Sequence, residues 1–188
     1  MRKEEDAPVN MRDYAALLTE VKTRIRSAQV RATLGANAEM LVMYWDIGRM
    51  IVQRQEAEGW GAGVIPRLSR DIRNELPEVK GFSARNIRRM TQFYTEYPIW
   101  PRAVAKLQPA ADEEDTIGPQ SVAQLEEVGS EEARQLLVAE IPWAHNVILM
   151  QKVKDRTIRF WYMQQTIKQG WSRDVLTAMI KSNAHERQ

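Results

Sequence analysis

The stretch NAEMLVMYWDIGRMIVQRQEAEG, residues 37–59, decides the fold. Met40, Leu41, Tyr44, Trp45, Ile47, Gly48 and Ile51 leave it little polar circumference, and a helix that is apolar on most sides must be buried. Asn37 in front reads as an N-cap and Gly59 behind as a left-handed stop. The segment is therefore expected to be the central core helix of an all-α, multi-helix bundle.

Upstream, YAALLTEVKTRIRSAQVRATL (14–34) sets Leu17, Leu18, Val21, Ile25 and Ala28 at helical spacing, with Lys22, Arg24, Arg26 and Arg31 facing outward. It is expected to be a separate amphipathic surface helix over 10–34. Downstream, Val64 to Leu76 predicts a third helix, with Pro66 in its first turn and Ile65, Leu68, Ile72 and Leu76 on one face. A short Gly-containing connection leads to Phe82 and to Ser83, a capping residue with a hydrophobic neighbour before it, and ARNIRRMTQFYTEY (84–97) follows. Between about Trp100 and Glu132 the composition turns to Pro, Ala, Gly and acid, with Asp112, Glu113, Glu114 and Asp115 together, as in a linker or insertion with a short helix at 131–139 behind it. Three more helical runs are expected at 143–153, 157–169 and 172–182, the last capped by Ser172. The expected organisation is a flexible start (1–9), one helical domain (10–185) and a tail (183–188). Within the domain lie a first lobe (10–100), which contains a helix-turn-helix-like pair (64–97), then the acidic segment (101–132) and the C-terminal helices (133–182). No period of two persists, so at most a short β-hairpin fits.

The chain has no cysteine among its 188 residues, which excludes disulfides, thiolate metal sites and a catalytic thiol. No apolar run is long enough for a membrane span, and a cytoplasmic, soluble protein is expected. The formal net charge of +2 argues little in total, but the charges are segregated. In the helix after Ser83, Ala84, Ile87, Met90, Tyr94 and Tyr97 form an inward row while Arg85, Arg88, Arg89 and Gln92 project outward. Following another helix, this is what a groove-reading helix requires, because the arginine fork donates two parallel hydrogen bonds to guanine edges or phosphates. The plain alternative is a solvated basic face, or pairing with Glu75, Glu78 and Glu96. Lys80, Arg67, Lys152, Lys154 and Arg173 are expected phosphate contacts, and Arg156, Arg159 and Lys168 belong to the same late basic stretch.

Other motifs carry less. Glu78-Val79-Lys80 matches half of a nuclease metal site, and a metal-dependent nuclease around Asp71, Glu75, Glu78 and Lys80 is the outermost reading; three convergent ligands on a rigid element are normally needed. His145 at a helix start suits capping or packing, and His185 falls in the tail expected to be disordered. Trp45, Trp143 and Trp161 lie on apolar faces, and Trp60 and Trp171 are expected to act as packing plugs before helices. No cofactor, metal or catalytic residue is expected.

Tyr44-Trp45-Asp46-Ile47-Gly48, Gly59-Trp60-Gly61, Gly81-Phe82-Ser83-Ala84-Arg85-Asn86-Ile87 and Ile141-Pro142-Trp143-Ala144-His145-Asn146 follow one another in an order that resembles the N-terminal domain of the YhcG-like family. Trp161-Tyr162 and Gly170-Trp171-Ser172-Arg173-Asp174-Val175-Leu176 extend the resemblance across nearly the whole chain. It implies a bacterial helical domain, described as of DNA-binding helix-turn-helix type, that family members join to a C-terminal PDDEXK nuclease domain. Two departures stand out: a longer stretch between about Gln108 and Glu140, and a chain that stops near where the family passes to its nuclease half. The expectation is accordingly a non-catalytic targeting module that binds duplex DNA and serves an attached or associated nuclease domain or subunit. The alternative is a homodimerisation or protein-interaction domain of the same system, with no membrane partner.

Overall fold

A computed structural model describes residues 11–61, 63–98 and 131–187. The acidic stretch expected at 101–132 lies outside them, apart from its last two residues, and so does the flexible start at 1–9. The described residues form seven α-helices and no strand: α1 (Met11–Glu58), α2 (Val64–Glu75), α3 (Ala84–Glu96), α4 (Glu131–Glu140), α5 (Trp143–Lys152), α6 (Arg156–Gln169) and α7 (Arg173–Lys181), with a 3-10 turn at Ala184–Glu186. The all-α expectation holds.

The break expected between Leu34 and Asn37 does not exist. One helix of 48 residues, roughly 70 Å long at the usual rise, runs through both segments. Asn37 is not an N-cap: its side-chain amide donates to the carbonyls of Ala139, at 2.8 Å, and Ile141, at 3.1 Å. Asn146, fully buried, donates to Val138 O and Ile141 O. Two amides thus satisfy carbonyls that the end of α4 would otherwise bury unpaired. A capping-type residue in mid-helix was used by a partner about a hundred positions away, and Gly35 alone costs a helix only about 1 kcal/mol. Gly59 does end α1, at φ +64°.

The second half of α1 is the spine. It packs chiefly on α3, and also on α4, while α2 rests on α3 and α5 to α7 close the far side. One apolar cluster joins Leu41 and Trp45 of α1, Phe93 and Tyr97 at the end of α3, and Val138, Leu149, Phe160, Met163 and Leu176 of the later helices. A smaller one holds Tyr44, Ile51, Ile65, Ile87 and Met90 between α1, α2 and α3. The Trp45 indole donates to Tyr97 O at 2.8 Å and so closes the C-terminus of α3. Trp171 packs against the larger cluster, but Trp60 is exposed and is no plug. The tail is placed too: His185 meets the Tyr162 hydroxyl at 3.0 Å, contrary to the expected disorder.

Helices α1 and α3 touch at Gly48. A Cβ there would lie 2.1 Å from Met90 O, which is backbone and cannot rotate away. Gly48→Ala should therefore destabilise the protein by about 2 kcal/mol or more, although the same change in a free helix gains about 1 kcal/mol; equilibrium urea unfolding reads the sign.

Burial pushes the Tyr97 hydroxyl up to about 12, against the pull of the neighbouring Arg159 guanidinium. The folded state thus holds this proton more tightly than the unfolded chain, whose tyrosines titrate near 10. Stability tied to Tyr97 is complete below pH 10 and is lost between about pH 10 and 12, at up to about 1.4 kcal/mol per pH unit. Unfolding free energies measured at pH 9 and pH 11 should converge partly in Tyr97→Phe.

Candidate nucleic-acid interface

The second helix of the basic pair begins as its sequence demands. Ser83 is extended, and its Oγ accepts from Asn86 N at 3.3 Å. Three elements hold this start. Ser69 of α2 donates to Phe82 O at 2.8 Å; Asn86 donates to Gly81 O; and Trp143 of α5 donates its indole N–H to Asn86 Oδ1 at 2.9 Å. Gly81 has φ +101°, and a Cβ there would come 2.9 Å from the Tyr44 hydroxyl, so glycine is needed on both counts. The connection from α2 to α3 is residues 76–83, longer than the roughly three- to four-residue turn of a helix-turn-helix.

With its start fixed, α3 buries Ile87, Met90, Phe93 and Tyr97 completely. At about 100° per residue, Arg85, Arg88 and Gln92 fall within about 40° of the line opposite Met90, and Arg89 lies on the flank toward α5. Arg85 and Arg88 are exposed; Arg89 and Gln92 are half-buried. Together with Gln151 of α5 they line an open depression of about 310 Å³. Among the described residues no carboxylate pairs with any of the three guanidinium groups. Arg89 Nε is buried with no hydrogen-bond partner. A cationic hollow with an unsatisfied donor suits a multivalent oxyanion, because charge-assisted and bidentate bonds offset the desolvation of the guanidinium groups.

The remaining expected contacts are distributed differently. Lys80 is exposed in the α2–α3 connection, Lys152 and Lys154 are exposed at and after the end of α5, and Arg173 is exposed at the first position of α7. None of these four lines the depression. Arg67 is exposed on α2 and lies 3.6 Å from Asp71, so part of its charge is spent within its own helix. Arg159 does not belong to a surface stretch at all. It is 1% exposed and donates to Val153 O, Glu96 Oε2 and the Tyr97 hydroxyl. Arg156 likewise bonds the Glu96 carbonyl. These two cations fasten α6 to the end of α3. Gln151, which sequence reading passed over, enters the hollow only because α5 packs beside α3; its position next to Lys152 on a polar helix face was the available signal.

Among the described residues no group of three or more His, Asp or Glu side chains is placed to hold a metal ion, and Glu78 and Lys80 sit exposed in a turn. His145 is buried, with Nε2 against Trp171 O at 2.9 Å, which is a packing role. Among the described residues no helix, α1 included, is both long and apolar enough to cross a membrane.

The model of the DUF1016 N-terminal domain matches residues 20–110 and 121–187. The chain is 28% identical over 168 residues to the Escherichia coli (strain K12) protein named "Putative nuclease YhcG", an alignment that takes in 87% of this chain and 43% of that protein. The chain thus spans less than half the length of the curated relative it matches. No solved structure matches it.

The two kinds of arginine should separate in experiment. Arg159→Met strands the Glu96 carboxylate and the Tyr97 hydroxyl and should cost about 2–3 kcal/mol of unfolding free energy. Arg88→Ala should change stability by less than about 0.5 kcal/mol. Chemical denaturation of the two variants side by side checks the contrast.

Proposed function

The chain belongs to the DUF1016 N-terminal domain family as a YhcG-like N-terminal part, and on that premise we propose that it is a non-catalytic nucleic-acid-binding module which holds duplex DNA for a nuclease domain or subunit. One observation carries the reading: Arg85, Arg88 and Arg89 line one hollow with two glutamines and meet no carboxylate among the described residues. Charges of both signs along a helix face make a salt-bridge-laced, solvated surface. This one is left charged and concave.

The roles divide by position. Arg85 and Arg88, exposed near the N-terminal end of α3, are the groove contacts; Arg89 and Gln92, deeper in the hollow, hold a backbone phosphate. Lys152 and Lys154 supply further phosphate contacts as the duplex continues past the end of α5. Lys80, Arg67 and Arg173 are outlying contacts, Arg67 the weakest because Asp71 competes for it. The long α2–α3 connection means that the reading rests on the arginine face and not on a helix-turn-helix likeness.

Fluorescence anisotropy of labelled duplex DNA at increasing potassium chloride tests this. Affinity should fall with a log–log slope near −0.9 for each phosphate neutralised. The triple change Arg85→Ala, Arg88→Ala, Arg89→Ala should weaken binding by about tenfold or more and flatten that slope by one or more units. Binding that is absent in the unaltered chain, or untouched in the triple variant, defeats the reading.

A further inference from the structure

We propose that the first half of α1 is a dimerisation arm that pairs antiparallel with the same segment of a second copy of this chain. The inference is independent of the nucleic-acid reading.

Residues 13–30 of α1 are exposed almost without exception, yet the segment is not a polar helix. Tyr14, Leu17, Leu18, Val21 and Ile25 each leave between 44 and 56% of their surface open. A solitary amphipathic helix of this length is marginal in water; helices in proteins owe most of their stability to something packed on the apolar face. The polar side is already satisfied, since the Thr19 and Thr23 hydroxyls donate back to Ala15 O and Thr19 O at 2.9 Å. The apolar side has no partner among the described residues. At about 100° per residue it points away from the face that carries Leu41, Tyr44, Trp45 and Gly48 into the bundle, so none of the described helices of its own copy packs on it.

The spacing identifies what can. Tyr14, Leu18, Val21, Ile25, Ala28 and Ala32 alternate steps of four and three, a repeat of 3.5 that keeps a straight seam only when a second helix coils around the first. Their sizes then set the direction. Large residues occupy the N-terminal end of the seam and alanines the other end. A parallel pair would stack Tyr14 on Tyr14 and leave a thin contact at Ala32. An antiparallel pair with Val21 of one copy opposite Ile25 of the other sets Leu18 against Ala28 and Tyr14 against Ala32. Bulk then meets gap in the outer layers, and two β-branched residues of similar size meet in the central ones, as close packing allows. The same two-fold operation repeats each contact, which makes the surface self-complementary. A seam about 27 Å long with its flanking side chains buries on the order of 600–800 Å² per copy, enough for a small stable dimer.

Charge gives the arm a signature. Lys22, Arg24 and Arg31 flank the seam with no acid in the flanking positions opposite, so two copies repel through their cations. Salt should screen that repulsion and tighten the dimer, whereas it weakens contact with nucleic acid.

Sedimentation of the full chain from about 1 to 100 µM should show a monomer passing to a dimer, shifted toward dimer at higher salt. Ile25→Asp should abolish the dimer and leave the thermal unfolding of the bundle in place, since Ile25 lies outside both apolar clusters. The natural absence of cysteine makes direction readable. The double variant Leu18→Cys, Ala28→Cys should oxidise to a covalent dimer, and Leu18→Cys alone should not. A chain that stays monomeric throughout, a dimer indifferent to Ile25→Asp, or efficient self-crosslinking of Leu18→Cys alone overturns the proposal. So does a monomer that instead sediments with vesicles of anionic lipid, which would assign the stripe to a membrane surface.

Discussion

The approach of α1 to α3 at Gly48 is the constraint on which the rest is built. With no side chain at Gly48, the two backbones come closer than any other residue permits, and the Met90 carbonyl sits where a Cβ would be. That contact fixes the rotation of α3 about its own axis. Once Met90 faces α1, helical geometry turns Ile87 and Tyr97 inward and Arg85, Arg88 and Gln92 outward. The network around Gly81, Asn86 and Trp143 fixes the same rotation at the start of the helix, and the Trp45 indole holds its end. The orientation of the cationic face is thus a consequence of how the core closes.

Arginine has two opposite uses in this molecule. Arg159 is removed from water, and its guanidinium finds a carboxylate, a phenol and a backbone carbonyl, so the cost of desolvation is met by charge-assisted hydrogen bonds. Arg85 and Arg88 are exposed and meet no carboxylate among the described residues, and Arg89 is caught between, with one donor buried and without a hydrogen-bond partner among them. An anion arriving in the hollow would supply what the protein withholds. Glu96 shows the same logic from the other side. It stands in the last turn of α3 and is committed to Arg159, so it cannot neutralise the arginines nearer the start of its own helix.

The long first helix divides the chain into regions with different needs. From Ala38 to Ile51 one side of it packs on α3 and α4, while Met43 and Met50 stay exposed. Before that it carries its own apolar stripe on the opposite side. A single helix therefore serves as the spine of the bundle and, in the proposed dimer, as the arm that meets a second copy. Nothing in helix propensity separates the two halves; they differ in where most of their apolar residues lie and in whether the described helices pack on them.

Local chemistry made much of this legible. Helices α2, α3, α5, α6 and α7, the caps at Ser83 and Ser172 and the stop at Gly59 are written in short-range patterns of apolar spacing and capping residues, which act within a few positions of themselves. The inward row of α3 and the outward arginines follow from the same period. The continuity of α1, the burial of Arg159 and the entry of Gln151 into the hollow could not be read in this way. Each depends on a partner far along the chain: Asn37 on Ala139 and Ile141, Arg159 on Glu96 and Tyr97, Gln151 on its neighbours in α3. An amide or a guanidinium has the same local signature whether it caps its own helix, faces water or closes a distant contact. Its use is settled when the helices pack.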